Sequence, residues 1–377
     1  MRSRYRMWMW GGLFLVGCSS VALAGLRLIP PTSQAKESLQ YIKNHLHLKG
    51  IRRLKKRVGQ PFAMVALSKA SQGLSNIARI SPVHKKLAKK LLTQAVTLAL
   101  HPTLSPYGKT PTKLRRFGHT GLYLSHLAIV LGEASLTQKK RLYPALHTKI
   151  IKHLRRLSLK SRQKHLRSYR KSRHRWPADQ TATLYAFWLY DKLYNKDLLQ
   201  APLQGWLRYM KRHATNKRGL HYSNVTGSRM WRSPRGCGLS WSILYLGRMA
   251  PKAARTLYKA YKRHHFVQLA GMGGFREWPR GVKGYVDNDT GPIVFGIGAA
   301  ATAFGIGAAR VMGDHTTTEQ LQRTRHIVNT SIQWVGKRRR PALNNLLTHG
   351  ITLLTDTIQP HTPSSQKAHP QKTSPTH

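Results

Sequence analysis

Four stretches of this 377-residue chain run from a polar or Gly/Pro-rich loop into an apolar segment with helical spacing. They are RRFGHTGLYLSHLAIVLGE (115–133), RWPADQTATLYAFWLYD (175–191), SPRGCGLSWSILYLG (233–247) and YVDNDTGPIVFGIGAAATAFGIGAAR (285–310). Aligned on His119, Asp179, Cys237 and Asp289, they recur at intervals of 60, 58 and 52 residues. A fixed period of this order marks a repeated unit, here one helical hairpin with its loops. More amphipathic, basic segments lie between them, at 138–158, 198–213, 251–266 and 317–335. Extending the alternation outward adds 37–55 with 61–80, 83–101 with 119–132, and 317–335 with 341–357. A helix apolar on nearly every side must be surrounded by other helices. The expected fold is therefore all-α, an (α/α)6 toroid of six outer/inner helical hairpins, with the basic outer helices facing solvent. Five glycines in 291–307 fit close helix packing, which offsets a helix-interior cost of about 1 kcal/mol each against Ala. The competing reading of 291–309 is a membrane span, since that stretch carries no charge.

Charge limits the partners. The chain holds 65 Lys+Arg against 11 Asp+Glu, a net +54. Such a field favours polyanions, whether an anionic envelope polymer, a lipid surface or nucleic acid. The densest basic run, 149–175, contains twelve Lys/Arg and no acid. No zinc-finger, RNA-recognition or K-homology motif is present, so nucleic acid is not the expected partner.

The first 26 residues read as a lipoprotein-type signal or a membrane anchor. Arg2, Arg4 and Arg6 precede an uncharged apolar run from Met7 to Leu26. Within it, LVGCSS resembles a bacterial lipobox, which makes Cys18 a lipidation candidate. ALAG at 22–25 offers an ordinary cleavage site instead, and the run approaches the length of an uncleaved span. All three readings export the rest of the chain, and lipid on Cys18 or an uncleaved segment would anchor it in the cell envelope. The toroid domain is expected over 27–358. Residues 359–377, rich in Pro, Ser, Thr and His, read as a disordered tail. With two cysteines, and Cys18 lipidated, Cys237 has no partner within the chain, and CxxC metal sites are excluded.

Consecutive hairpins of a toroid bring every inner-helix start to the same end. His119, Asp179, Cys237 and Asp289 should then surround one cavity mouth, with aromatic and basic residues on the loops before them. Three of the eleven acids, Glu277, Asp287 and Asp289, fall within thirteen positions of this region. Asp179, Glu277, Asp287, Asp289, Cys237 and His119 are the candidate catalytic residues. Trp176, Tyr222, Trp231, Arg235, Trp278 and Tyr285 are the candidate substrate contacts. Each has a structural alternative. Asp179 and Asp289 could cap helices, and Glu277 could form a loop ion pair or act as a general acid in an aromatic setting. Cys237, at an expected helix start beside Arg235, has the setting of a thiolate, with His119 as its base, or is a small buried residue. Asp287–Asn288–Asp289 looks calcium-like but lacks the following loop glutamate, and no phosphate-cradling Gly loop occurs. No metal or other cofactor is expected.

The layout, with its WPADQTA, PRGCGLSWS, GFREWP and DNDTGP loops, resembles bacterial α/α-barrel enzymes over about residues 100–315. The nearest named group is the linalool dehydratase/isomerase-like one, within a wider set of toroid glycosidases and sugar epimerases. The resemblance implies acid/base chemistry at a buried allylic alcohol, with Asp179, Cys237 and His119 in the reacting roles. The linalool enzyme uses two active-site cysteines, whereas here Cys237 stands alone. The sequence thus leads to an exported toroid enzyme with metal-independent acid/base catalysis, acting on a saccharide or anionic envelope glycan as hydrolase, lyase or epimerase. Dehydratase/isomerase chemistry on a small alcohol, or a non-catalytic basic envelope lipoprotein that binds polyanions, are the alternatives.

Overall fold

The structure is a computed structural model that describes residues 33–226, 233–282, 284–287, 289–334 and 344–360. The expected signal or anchor with Cys18, the tail beyond residue 360 and Trp231 lie outside the described residues.

Among the described residues twelve α-helices alternate between an outer and an inner layer. In chain order they are α1 (Ala35–His45), α2 (Leu48–Ile80), α3 (Lys85–Ala99), α4 (Gly121–Thr137), α5 (Pro144–Lys160) and α6 (Pro177–Tyr194). They continue with α7 (Gln200–His213), α8 (Gly236–Met249), α9 (Pro251–His265), α10 (Ala299–Val311), α11 (His315–Trp334) and α12 (Leu346–Thr357). Helix α2 is bent at Gly59, which has φ 82°. Pro61 follows directly, where a restarting helix loses nothing by its missing N–H. The segment before the bend belongs to the outer layer, and the segment after it is the first inner helix. Every residue of α2 from Ala63 to Ala78 is buried.

The inner helices close a ring. The second half of α2 packs on α4, α4 on α6, α6 on α8, α8 on α10, α10 on α12, and α12 returns to α2. This is the (α/α)6 toroid that the sequence period predicts. Asp356 seals the closure between the two ends of the chain. It takes two hydrogen bonds of 2.8 Å from Arg325 and one of 2.8 Å from the Gln34 backbone N–H.

Between α9 and α10 the structure departs from a simple loop-then-helix. Strand β1 (Phe266–Leu269) pairs antiparallel with β2 (Met272–Phe275), and β3 (Ile293–Val294) pairs with β4 (Ile297–Gly298). An Arg276–Ile297 bridge joins the two hairpins. Each has a two-residue turn with both φ angles positive, Ala270–Gly271 and Phe295–Gly296. That is the twist of a tight hairpin turn, normally marked by Asn-Gly or Asp-Gly, and neither signal stands here. The helix expected to start at Asp289 therefore begins ten positions later, at Ala299. Only Gly305 and Gly307 of the five glycines lie inside α10. A Cβ on Gly307 would lie 2.9 Å from Thr355 Cγ2 and press on Leu244, so this glycine admits the neighbouring inner helices. Gly291 and Gly296 instead have positive φ in the loop. Among the described residues no helix is long and apolar enough to cross a membrane, so 291–309 is not a span.

Candidate active site

The starts of all six inner helices border one cavity of about 550 Å³. Phe62, Leu122, Asp179, Cys237, Ala299 and Leu347 reach it, one from each inner helix or its first turns. The common end inferred from the repeat is thus where a cavity opens.

Two loops build one wall. The segment before α6 is pinned down by its own backbone: Gly121 and Leu122 N–H donate to the carbonyls of Arg167 and Ser168, and Leu166 N–H donates to Gln180 Oε1 at 3.0 Å. Val225 N–H donates to the Arg175 carbonyl, and Asn224 Oδ1 accepts from Arg175 N–H. These bonds set Tyr169, Trp176 and Tyr222 on the cavity wall.

Asp179 sits in the first turn of α6, behind the N-cap residue Trp176 and Pro177. It is not the helix cap, since it lies inside the helix. Its Oδ2 accepts the Ser168 hydroxyl. Burial pushes its carboxyl up to about 7, the negative charge of Asp289 adds to the rise, and Ser168 and the Lys69 ammonium partly oppose it. Asp289 is also raised, to about 6, by burial first and by Asp287, with Arg235 opposing. Its side chain is 42% accessible, and the residue lines the cavity. A carboxyl raised by burial and by the charge of a second carboxylate on the same cavity is the arrangement in which one stays protonated while the other is charged.

The clustered acids have a second explanation, and it is Arg235. This nearly buried guanidinium donates through Nε to Glu277 at 3.0 Å and through Nη2 to Asp287 at 2.8 Å, and lies 3.9 Å from Asp289. Trp278 and Tyr285 flank it, with ring centroids 5.2 and 5.5 Å from its Cζ. The three acids surround a cation, and that cation is an arginine. Among the described residues no group of three His, Cys, Asp or Glu could hold a metal ion.

The three acids are not equally occupied. Glu277 is fully buried and does not line the cavity. It accepts from Arg235, from the Cys237 N–H at 3.1 Å and from the Cys237 thiol at 3.0 Å, and so caps the N-terminus of α8 from a neighbouring loop. Asp287 Oδ1 accepts from Arg235 and from the N–H groups of Asp289 and Thr290, holding its own turn. Among the described residues Asp289 has the long contact to Arg235 and its turn, and it is the acid best placed to meet a ligand.

Cys237 does line the cavity, but it is a thiol. Burial pushes it well up, the Glu277 carboxylate adds to the rise, and both outweigh Arg235. Burial first, and that carboxylate second, oppose the thiolate setting read from the sequence. His119 opens on a different cleft and does not meet Cys237, so the two do not form a nucleophile–base pair. Of the expected substrate contacts, Trp176, Tyr222 and Arg235 line the cavity, whereas Trp278 and Tyr285 pack behind Arg235.

Sequence reasoning passed over Tyr169, Trp241, Phe304 and Lys69. Trp241 and Phe304 form part of the floor. Beneath them Lys69 is fully buried, 3.7 Å from the Trp241 ring centroid and bonded to the Tyr245 hydroxyl at 2.8 Å. Burial lowers its ammonium well below the usual lysine range. A lysine inside an apolar inner helix was the available signal.

No protein-family model and no curated protein sequence matches the chain. Solved structures do. A glycosyl hydrolase family 88 protein from Bacteroides vulgatus superposes with TM-score 0.52 at 11% identity, covering 86% of this chain and 98% of that one. A GH76 α-mannanase from Bacteroides thetaiotaomicron gives 0.53 at 12%, covering 86% and 93%. A polysaccharide lyase gives 0.52 at 12%, covering 86% and 97%. These likenesses define the fold class: the chain is an α/α toroid of the architecture found in those proteins.

Proposed function

We propose that this chain is a glycan-acting toroid enzyme, exported and held at the membrane by its N-terminal segment, that works by acid/base catalysis without a metal. The observation that carries the reading is the pair Asp179 and Asp289, two raised carboxyls facing one aromatic-walled cavity. The toroid neighbours, described as a glycosyl hydrolase, an α-mannanase and a polysaccharide lyase, support the same substrate class. The leader-like sequence of residues 1–26 supports export.

In the hydrolytic form Asp179 is the general acid. Its proton passes to the glycosidic oxygen as the C–O bond breaks, and Asp289, ionised, takes a proton from the attacking water. Trp176 and Tyr222 offer faces for sugar rings. In a lyase form the base would instead remove a ring C–H proton, and the product would be unsaturated. Incubation of the purified chain with a panel of neutral and acidic polysaccharides, read for new reducing ends and for ultraviolet-absorbing unsaturated ends, separates the two. Turnover by wild type that D179N and D289N both lose is the expected result. Turnover unaffected by either substitution removes both residues from the chemistry.

The apolar floor, with Phe62, Val65, Leu122, Phe304 and Ile351, favours one second reading, dehydration or isomerisation of a small alcohol. A thiol held by Glu277 weakens it. Loss of a terpene alcohol in the same assay, with no glycan cleaved, would establish it instead.

A further inference from the structure

A second cleft of about 930 Å³ adjoins the main cavity. Tyr222 lines both. Arg175 and Trp176 are adjacent in sequence, with Trp176 on the main cavity and Arg175 on the cleft. Tyr222 therefore stands where the two spaces meet.

The two spaces differ in charge. Asp179, Asp287 and Asp289 line the main cavity beside Arg57 and Arg235. Lys160, Arg162, Arg167 and Arg175 line the cleft, and no acid does. None of these four cations forms a salt bridge among the described residues. Arg175 is only half-buried, yet its Nε is buried and without a hydrogen-bond partner. Unneutralised cations turned into one concavity repel one another, and an anion with several charges relieves that repulsion while supplying acceptors for their N–H groups. The half-buried rings of Tyr209 and Tyr222 in the same cleft suit a sugar more than a bare inorganic ion.

We infer that this cleft is an anionic-glycan subsite, which holds the carboxylate or sulfate groups of a chain whose neighbouring sugars enter the main cavity past Tyr222. The inference rests on the glycan reading of the main cavity. It adds the charge of the substrate and the side from which that substrate arrives. It also gives the 149–175 basic run a local role apart from general surface charge.

The test measures binding, so that it stands apart from turnover. Calorimetry on the full chain at physiological salt would compare an oligogalacturonate hexamer, a sulfated hexasaccharide and neutral maltohexaose. The cleft variant is R162Q/R167Q, in which both side chains are exposed. The control K85Q/K86Q removes the same charge from exposed positions on α3. The expected result is roughly tenfold weaker binding of an acidic hexamer to R162Q/R167Q, with K85Q/K86Q near wild type and maltohexaose indifferent to both. Whichever acidic hexamer loses more identifies carboxylate or sulfate as the anion. Equal losses in the two variants would assign binding to the overall field and overturn the subsite, as would no loss in either. Tighter cleft-dependent binding of a single-stranded oligonucleotide than of either glycan overturns it too. If an acidic hexamer binds through the cleft but is never cleaved, the catalytic reading fails while the subsite stands.

Discussion

Asp179 and Glu277 show how burial alone does not assign a carboxylate its role. Glu277 has a guanidinium, a backbone N–H and a thiol as donors, whereas Asp179 has one hydroxyl and a cavity. E277Q is therefore expected to cost about 3 kcal/mol or more, because it leaves Arg235 without its buried partner, and denaturant unfolding measures it. D179N should leave the fold intact and lower turnover about 100-fold or more, as loss of a general acid does. Its stability should also depend on pH in a set direction. Burial raises the folded carboxyl to about 7 against about 3.9 when unfolded. Its favourable contribution is complete below the unfolded value and is lost as pH rises through about 7. D179N should then melt near wild type at about pH 3.5 and above it at about pH 8.5, and thermal scans at the two values check this. The sequence marked Asp179 and Asp289 as candidates through the repeat. It did not reveal Arg235 as the hub of the three acids, because partners 42 and 52 positions away leave no local pattern.

At the scale of elements, the helices were legible because the inner ones are apolar all round and the outer ones are not. The hairpins β1–β2 and β3–β4 were not, because Ala-Gly and Phe-Gly turns lack the usual turn residues and the strands are four and two residues long. That insertion moved the start of α10 and set Asp289 on a loop. The start of α8 depends on one residue. Gly236 N–H donates to the Glu277 carbonyl at 2.7 Å, and a Cβ there would collide with the Arg276 carbonyl oxygen. Neither backbone can yield without disturbing the other. G236A is expected to destabilise by about 1–3 kcal/mol and to change the reactivity of Cys237 towards a thiol probe, both measurable on the same sample.

The whole molecule is a closed ring, and its closure and its cavity are separate features. Asp356 ties the last inner helix to the N-terminal segment through Arg325 and Gln34. D356N should lower the melting temperature of one cooperative transition, since every inner helix has two inner neighbours, and leave Asp179 and Asp289 as they were. At this scale the period in the sequence carried the architecture and the shared end. The spacing between loops on different hairpins, which decides what shares the cavity with what, depends on tertiary packing that no single sequence displays. In the proposed hydrolytic mechanism Asp179 is protonated and Asp289 ionised, so the pair should support activity best between about pH 6 and about 7. The most direct measurement is a carbon-13 NMR titration of the Asp179 carboxyl in wild type and D289N, assigned with D179N. The account expects a midpoint near 7 in wild type that falls when the charge of Asp289 is removed. A midpoint in the ordinary aspartate range, or one that D289N does not move, would contradict the coupled acid pair on which the proposed chemistry depends.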